Sequence, residues 1–422
     1  MKTYQKLKNI TLFPITWKIT RPLIKVLYHL YLKLSTSYKQ QKAIKSIRKA
    51  KKNNQPLKVA FMMVDTPYWK NEPLFKAMME DERFLPTFWI LDYPYASSEE
   101  IRAEMKAKCI TYAQKNNFPY FVDLSLPELR KAFRPHYLFV VFPYDDHIPF
   151  KTNQLKYELP CFIPYGYSNM DGPRAYNGNK MRYFHRFYLE SDYIQEEARK
   201  YMKNKASNTK VTGLPMSEWL ISYKTDLKDR KKHIIWAPHW TIDCDLKGTF
   251  TTANFLRIAD DMLALTQKYK DEVFFIFKPH PLLKRQLYSN IQWGKERANS
   301  YYRAWSEGTN TSLEEGNYAD VFARSDAMIH DSGSFILEYL LMDKPCMYVQ
   351  LPGGQPRLNQ STQQALECYQ KGSTTEDIEH FIQNVLEGND PLSETRHKFI
   401  HSYLLPNNQS PIQNIIEDLL NP

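Results

Sequence analysis

Four short apolar runs, HIIWA (233–237), VFFIF (273–277), AMIH (327–330) and CMYV (346–349), constrain this chain more than any other feature. Continuous hydrophobicity, as opposed to apolar–polar alternation, suits a strand covered on both faces, so the runs predict a parallel sheet flanked by helices. Helical stretches at Asn254–Lys268, Ala319–Arg324 and Phe335–Leu341 fall between them. An earlier series reads the same way. Leu57–Val64 (LKVAFMMV), Thr87–Leu91, His136–Phe142 (HYLFVVF) and Cys161–Tyr165 (CFIPY) are strand candidates, with helices near Pro73–Met79 and Ser98–Gln114. Alternating strands and helices in two series predict an α/β protein of two doubly wound parallel-sheet domains, two-lobed with a cleft. The 422 residues suffice for two such domains, each with a real core. The expected division is a basic arm over 1–55, an N-terminal α/β domain over 56–215, a C-terminal α/β domain over 216–375, and closing helices over 376–422.

Charge separates the arm from the rest. Up to Lys52 there are 14 Lys and Arg and no acidic residue; the other 43 basic residues face all 46 acidic ones, a net of −3. The arm offers neither the apolar core and cleavage site of a signal peptide nor the roughly 20 apolar residues of a membrane span. Pro22 suits the first turn of a helix. After it, Leu23, Val26, Leu27, Leu30 and Leu34 recur at helical spacing, with Trp17, Tyr28 and Tyr31 adding amphipathic rings and Lys and Arg on the flanks. That is the make-up of a helix lying in an anionic membrane surface. A helix packed on the protein's own body and a nucleic-acid-binding arm are the alternatives. Nothing like a nucleic-acid-reading motif follows, so no nucleic-acid partner is expected. The five cysteines lack CxxC spacing, which suits reduced, mostly buried thiols in a cytosolic protein.

The polar residues of the second series cluster just past strand ends, where open parallel sheets bind ligands. Ala237-Pro238-His239-Trp240 follows the first strand, Lys278-Pro279-His280-Pro281 the second, and Asp331-Ser332-Gly333-Ser334 the third, leading directly into a helix. A helix start with unpaired N–H groups is an anion site; the same turn also reads as ordinary capping by Ser334 or Asp331. Flanking prolines fix the backbone of His280, whose imidazole suits a general base or a donor to a phosphate oxygen. Glu338 shares a helix face with Ser334 and reads either as an acceptor for ribose hydroxyls or as a surface glutamate. No cluster has metal-ligand spacing, Asp145-Asp146-His147 being the nearest. The 232–350 region therefore reads as a site for a nucleotide diphosphate, with metal-independent transfer favoured and no cofactor expected.

These residues resemble a known family. IIWAPHWTI, FKPHPLL and YADVFARSDAMIHDSGSFILEYLLMDKPCMYV are similar, in order and spacing, to the three C-terminal blocks of CDP-glycerol glycerophosphotransferases. The resemblance implies a GT-B-like architecture and transfer of glycerol phosphate from CDP-glycerol, the donor substrate, in synthesis of teichoic acid or capsule polymers of the cell wall. The acceptor would be a membrane-linked glycan or glycerol-phosphate chain, and the enzyme would be cytoplasmic and peripheral on the inner membrane face. Carried across, His280 is the family's C-terminal functional histidine. Lys278, His239, Trp240, Asp331, Ser332, Gly333, Ser334 and Glu338 would hold the donor, and Gly166 and Asn71 would lie on the acceptor side. Val211-Thr212-Gly213-Leu214-Pro215 resembles the block at the lobe junction. Two positions depart from the pattern. Ile163-Pro164-Tyr165-Gly166 stands where the family has Trp-His-Gly, so Tyr165 occupies the place of the expected base, and a tyrosine with a pKa near 10 is a poor base at neutral pH. His239 replaces the more usual threonine. A glycosyltransferase using a nucleotide sugar is the alternative enzyme, and a non-catalytic, membrane-tethered binding protein the alternative of another class.

Overall fold

A computed structural model describes residues 14–142, 150, 154–169, 176, 178, 181–223, 231–242, 254–316, 318–354, 358–405 and 409–422, without the side chains of 14–23, 25 and 29. Asp145-Asp146-His147 and Cys244 lie outside this set. Two sheets carry the fold, and every described pairing within them is parallel.

The first sheet has seven strands: β1 (Leu57–Met63), β2 (Phe84–Ile90), β3 (Tyr120–Val122), β4 (Tyr137–Val140), β5 (Leu159–Phe162), β6 (Arg186–Leu189) and β7 (Thr209–Val211). Their order is β3-β2-β1-β4-β5-β6-β7. The second has six: β8 (Lys232–Ala237), β9 (Val273–Phe277), β10 (Thr311–Leu313), β11 (Ala327–His330), β12 (Cys346–Val349) and β13 (Gln370–Gly372), in the order β10-β9-β8-β11-β12-β13. The doubly wound α/β class expected from the apolar runs is thus present in both halves. The strand expected over Cys161–Tyr165 is β5, which ends at Phe162, two residues before Pro164. A proline lacks the N–H that a ladder position donates, and the chain leaves the sheet as a loop.

Two compact units emerge from the contacts. One comprises 1–66, 78–162 and 178–187; the other comprises 67–77, 163–177 and 188–422. The division is not linear in sequence. The short segments 67–77 and 163–177, which carry Asn71, Tyr165 and Gly166, belong to the same unit as the second sheet.

In that unit Trp236 of β8 anchors the core. It stacks on Phe255 with centroids 5.6 Å apart and on Phe277 at 5.0 Å, and Trp305 lies 5.5 Å away. All four side chains are fully buried. Aromatic groups of this size supply much of the apolar area that drives folding, and here they hold β8 and β9 in register, Trp236 opposite Phe277.

In the other unit the N-terminal helix, Pro14–Lys52, changes character along its length. Ala43, Ile47 and Ala50, spaced so as to share a face, are buried in the core. Val26, Leu27, Leu30 and Leu34 are each more than half exposed. Packing on the protein's own body therefore accounts for the second half of this helix and not for the apolar residues of the first. Among the described residues no helix is long and apolar enough to cross a membrane. Cys109, Cys161, Cys346 and Cys368 are free thiols in the interior.

Candidate functional site

The strand order of the second sheet reverses between β8 and β11, and such a switch point opens a crevice at the carboxyl ends of the two strands. His330, the last residue of β11, pairs with Ala237, the last of β8. The Pro238–Trp240 and Asp331–Ser334 turns leave the sheet side by side, with Lys278 leaving the adjacent β9.

Asp331 locks these exits together. Its buried carboxylate accepts the His239 N–H at 2.7 Å through one oxygen, and the Asn254 N–H and side-chain amide, each at 3.2 Å, through the other. The Asn254 amide also donates to the Val349 carbonyl at 3.0 Å, which ties in the end of β12. Burial raises the Asp331 pKa to about 6 despite these donors. Its carboxylate is spent on framing the site, a role the sequence left unassigned. His330 props the turn from below: its Nδ1–H donates to the Ser332 carbonyl at 3.1 Å, while the ring sits edge-on against Tyr348 and Tyr369. Ser332 and Gly333 are buried and Ser334 is exposed. Ser334 was expected to cap the following helix, Phe335–Leu340, but its side chain makes no capping bond. Its φ of −65° and ψ of −32° are already helical, whereas a side-chain cap needs an extended backbone at that position.

The two histidines meet. The His239 and His280 rings are 5.6 Å apart by centroid, and Trp240 lies 5.4 Å from His239 and 6.3 Å from His280. Each ring has its Nδ1 engaged as an acceptor. His280 Nδ1 receives the Leu282 N–H at 3.1 Å, and His239 Nδ1 receives the Thr241 N–H at 3.3 Å. A neutral imidazole with Nδ1 accepting carries its proton on Nε2. Burial holds both rings neutral, with pKa values of about 4 for His280, where Lys278 adds repulsion, and about 3 for His239, where His280 adds repulsion. At neutral pH the Nε2 edge of His280 is a hydrogen-bond donor, which suits an anionic oxygen better than an acceptor hydroxyl.

Lys278 is 5% exposed. Burial lowers its pKa, offset by Glu314 and Glu315. Glu338 is equally buried, so it is not the surface glutamate that the sequence allowed. A Cβ on Gly166 would lie 3.2 Å from Glu338 Oε1, so glycine is what lets the carboxylate approach this backbone. Lys70, which sequence reasoning passed over, is the cation nearest in effect to Glu338. Its ammonium sits 4.0 Å above the Tyr318 ring, and burial lowers its pKa to about 8. The neighbouring Asn71 accepts the Phe75 N–H at 3.0 Å through its carbonyl, at the start of the Glu72–Glu80 helix. Tyr165 packs edge-on against Tyr68, centroids 5.3 Å apart. Gly166 thus stands against Glu338, Tyr165 against Tyr68 and Lys70 against Tyr318, while His280, His239 and Trp240 form a second group. Among the described residues no group of three or more His, Cys, Asp and Glu is arranged to hold a metal ion.

The sequence model for CDP-glycerol:poly(glycerophosphate) glycerophosphotransferases matches residues 197–399. That segment, 203 of the 422 residues, is similar to this family. The matched segment contains the second sheet, from Trp240 through His280 to Glu338, and leaves Lys70, Tyr165 and Gly166 outside. A search of curated proteins finds no match. Among solved structures, the wall teichoic acid polymerase TagF is similar with a TM-score of 0.57 and 13% identity, over 97% of this chain and 98% of that one. A TagF variant soaked with CDPG gives 0.56 and 13% over 97% and 99%. UDP-GlcNAc 2-epimerase from Neisseria meningitidis, bound to UDP-GlcNAc, gives 0.52 and 13% over 87% and 100%. At such identities the likeness is one of fold.

Proposed function

We propose that this protein transfers glycerol phosphate from CDP-glycerol to a membrane-linked glycan or glycerol-phosphate acceptor, releasing CMP, in synthesis of a teichoic acid or capsule polymer. One observation carries the reading. Within the segment matched by the glycerophosphotransferase family, the switch point of a parallel sheet gathers a buried lysine, an Nε2–H histidine and an uncapped serine turn, which are donors suited to a diphosphate. That TagF, a protein of the same fold, was soaked with CDPG agrees with this choice of donor.

In the reaction the acceptor hydroxyl oxygen attacks the β-phosphorus. A new P–O bond forms to the acceptor as the bond from β-phosphorus to the bridging oxygen breaks, and CMP departs with that oxygen and its electron pair. The hydroxyl proton leaves to a nearby carboxylate, since Tyr165, in the family's base position, has too high a pKa to take it at neutral pH. Transfer of this kind depends on positioning and charge stabilisation. His280 donates Nε2–H to a phosphoryl oxygen, Lys278 opposes the charge that develops on leaving, and the Ser332–Ser334 turn presents N–H groups to the diphosphate. Glu338 accepts hydrogen bonds from the ribose. The work is done without a metal or cofactor, and the exposed apolar half of the N-terminal helix holds the enzyme on the inner, anionic face of the membrane, where a lipid-linked acceptor resides.

The test is a donor screen read by nucleotide release. CDP-glycerol with a lipid-linked acceptor should give CMP, and UDP- and GDP-sugars should not give their nucleotides. Turnover of a sugar donor with no CMP from CDP-glycerol would replace this reading with a glycosyltransferase.

A further inference from the structure

Near the carboxyl end of the chain the helix Ser393–Phe399 runs on as a π-helical segment, Ile400–Leu404, and two histidines flank the junction. His397 and His401 are four residues apart, a spacing that sets side chains one above the other on a helix face. Their rings meet, with centroids 4.4 Å apart and planes inclined at 56°. Both residues are exposed. Asp343 stands behind His397. Its Oδ2 accepts the His397 Nδ1–H at 3.1 Å, and its Oδ1 accepts the Nε–H of the buried Arg396 at 3.0 Å. Asp390 clamps the same guanidinium, its two oxygens accepting at 2.6 and 3.2 Å. The Asp343 backbone is left-handed, with φ of 50°, a conformation that persists away from glycine only where the surroundings hold it. A carboxylate oxygen only accepts, so in the neutral ring the hydrogen is on Nδ1 and the lone pair of His397 is on Nε2. A fixed carboxylate behind an imidazole is what orients histidines that ligate metals.

We propose that His397 and His401 together bind one divalent ion of the zinc class through ring nitrogens, with Asp343 orienting His397 and water filling the remaining positions. A pair of histidines four apart on one helix face is a known way to chelate such an ion. Imidazole nitrogens suit zinc and its neighbours, whereas magnesium and calcium take oxygen ligands. Zinc stands about 2.0–2.1 Å from an imidazole nitrogen, within reach of rings this near once the exposed side chains turn slightly. His401 has two ring nitrogens, so one serves the ion whatever the other bonds. Two protein ligands, fewer than the three or four of a permanent zinc centre, make a site for an exchangeable ion. Because the pair spans the junction, binding staples the last turn of the α-helix to the first of the π segment, whose Leu404 carbonyl accepts the Tyr167 hydroxyl at 3.5 Å. Neither histidine is among the residues gathered at the switch point, so the site is independent of the donor reading.

Calorimetric titration of Zn²⁺ alone into the full chain tests this, using wild type, His397→Gln, His401→Gln, the double variant His397→Gln/His401→Gln, and Asp343→Asn. The wild type should take up zinc at a site that the double variant lacks, and excess Mg²⁺ should not compete for it. Each single histidine substitution should weaken this binding by roughly tenfold or more, because the second ligand acts intramolecularly only when the first is present. Asp343→Asn should weaken it by about tenfold, the usual loss when the group behind a ligating histidine is changed. Zinc should also raise the urea midpoint of the wild type and leave that of the double variant unmoved, since only an ion bound to the native state stabilises it. A wild type that takes up no zinc would overturn the proposal. So would zinc uptake that either single histidine substitution leaves unchanged, or that persists in the double variant, where the other histidine pair, His239 and His280, becomes the place to look. Should Asp343→Asn unfold through the loss of its hold on Arg396, the histidine variants, whose side chains lie outside the core, decide the matter on the same criterion.

Discussion

At His280 a ring nitrogen that accepts the Leu282 N–H cannot also hold a proton, so the chemistry of this residue follows from one backbone contact. If its Nε2–H is what matters, glutamine, whose amide also presents an N–H, should substitute in part. His280→Ala is expected to lower kcat by about 10²–10³, the usual loss for a donor to a developing negative charge, and His280→Gln by roughly tenfold. The pH dependence separates a donor from a base. With a pKa near 4 the ring stays neutral down to pH 5, so the ratio of wild-type to His280→Gln kcat/KM should be constant between pH 5 and 7.5. A ratio that falls steadily as pH drops through 6.5 would instead mark His280 as a base titrating near its ordinary value. Gly166 gives a second test at this scale. An added methyl 3.2 Å from Glu338 Oε1 displaces the carboxylate by a few tenths of an ångström. Gly166→Ala should therefore lower kcat/KM for transfer about tenfold, since misplacement of a positioning group is expensive, while the urea midpoint hardly moves.

Among elements, the strand exits of the second sheet depend on Asp331. Removing its carboxylate orphans the backbone N–H groups of His239 and Asn254 and leaves the Asn254 amide only its bond to Val349, and buried unpaired donors cost about 1–3 kcal/mol each. Asp331→Ala should destabilise the protein at pH 7 by about 2–4 kcal/mol in urea unfolding. The wild type should also carry a pH signature that this variant lacks. The folded pKa, about 6, is above the ordinary carboxylate value of 3.8, so the native state holds the proton more firmly. The stabilising contribution is complete below pH 3.8 and is lost as pH rises through 6. A pH slope between 5 and 7 that is the same in both proteins would refute the brace. None of this was legible in the sequence, where Asp331 reads as a ligand or a cap; its partners lie 92 and 77 residues away in the chain. The apolar runs were legible because burial on both faces leaves no choice of residue type, and β9, β11 and β12 begin and end where those runs do. The three-residue edge strands β7, β10 and β13 carry no such run. Lys70 escaped notice for a similar reason: a lysine between a tryptophan and an asparagine looks solvated until folding sets its ammonium over the Tyr318 ring.

For the whole molecule, the question is what the N-terminal helix does with an apolar surface it does not bury. The helix has 39 residues and is about 58 Å long at 1.5 Å per residue. Its second half is part of the fold through Ala43, Ile47 and Ala50. Its first half exposes Leu27 and Leu30, and Leu34 is 62% exposed; 27, 30 and 34 follow the three-and-four spacing of one helix face. Tyr28 and Tyr31 are exposed with them, and the 14 cations up to Lys52 face no acid in the same stretch. Side chains of this kind are stable together where an apolar layer meets anionic headgroups, each Lys or Arg there contributing about 1 kcal/mol. Removing residues 1–35 should abolish sedimentation with anionic liposomes and leave the urea midpoint of the rest unchanged. A longer truncation through Lys52 should unfold the first unit, because it strips Ala43, Ile47 and Ala50 from the core. Replacing Leu27, Leu30 and Leu34 by glutamine tests the apolar face alone. It should weaken liposome binding by at least tenfold, as three buried leucines lose about 1.5 kcal/mol or more each, with transfer to a soluble acceptor analogue preserved. Raising salt should weaken what binding remains, by screening the lysines. Sedimentation that persists in both the short truncation and the triple variant would place membrane binding elsewhere on the protein and leave the exposed leucines to another partner.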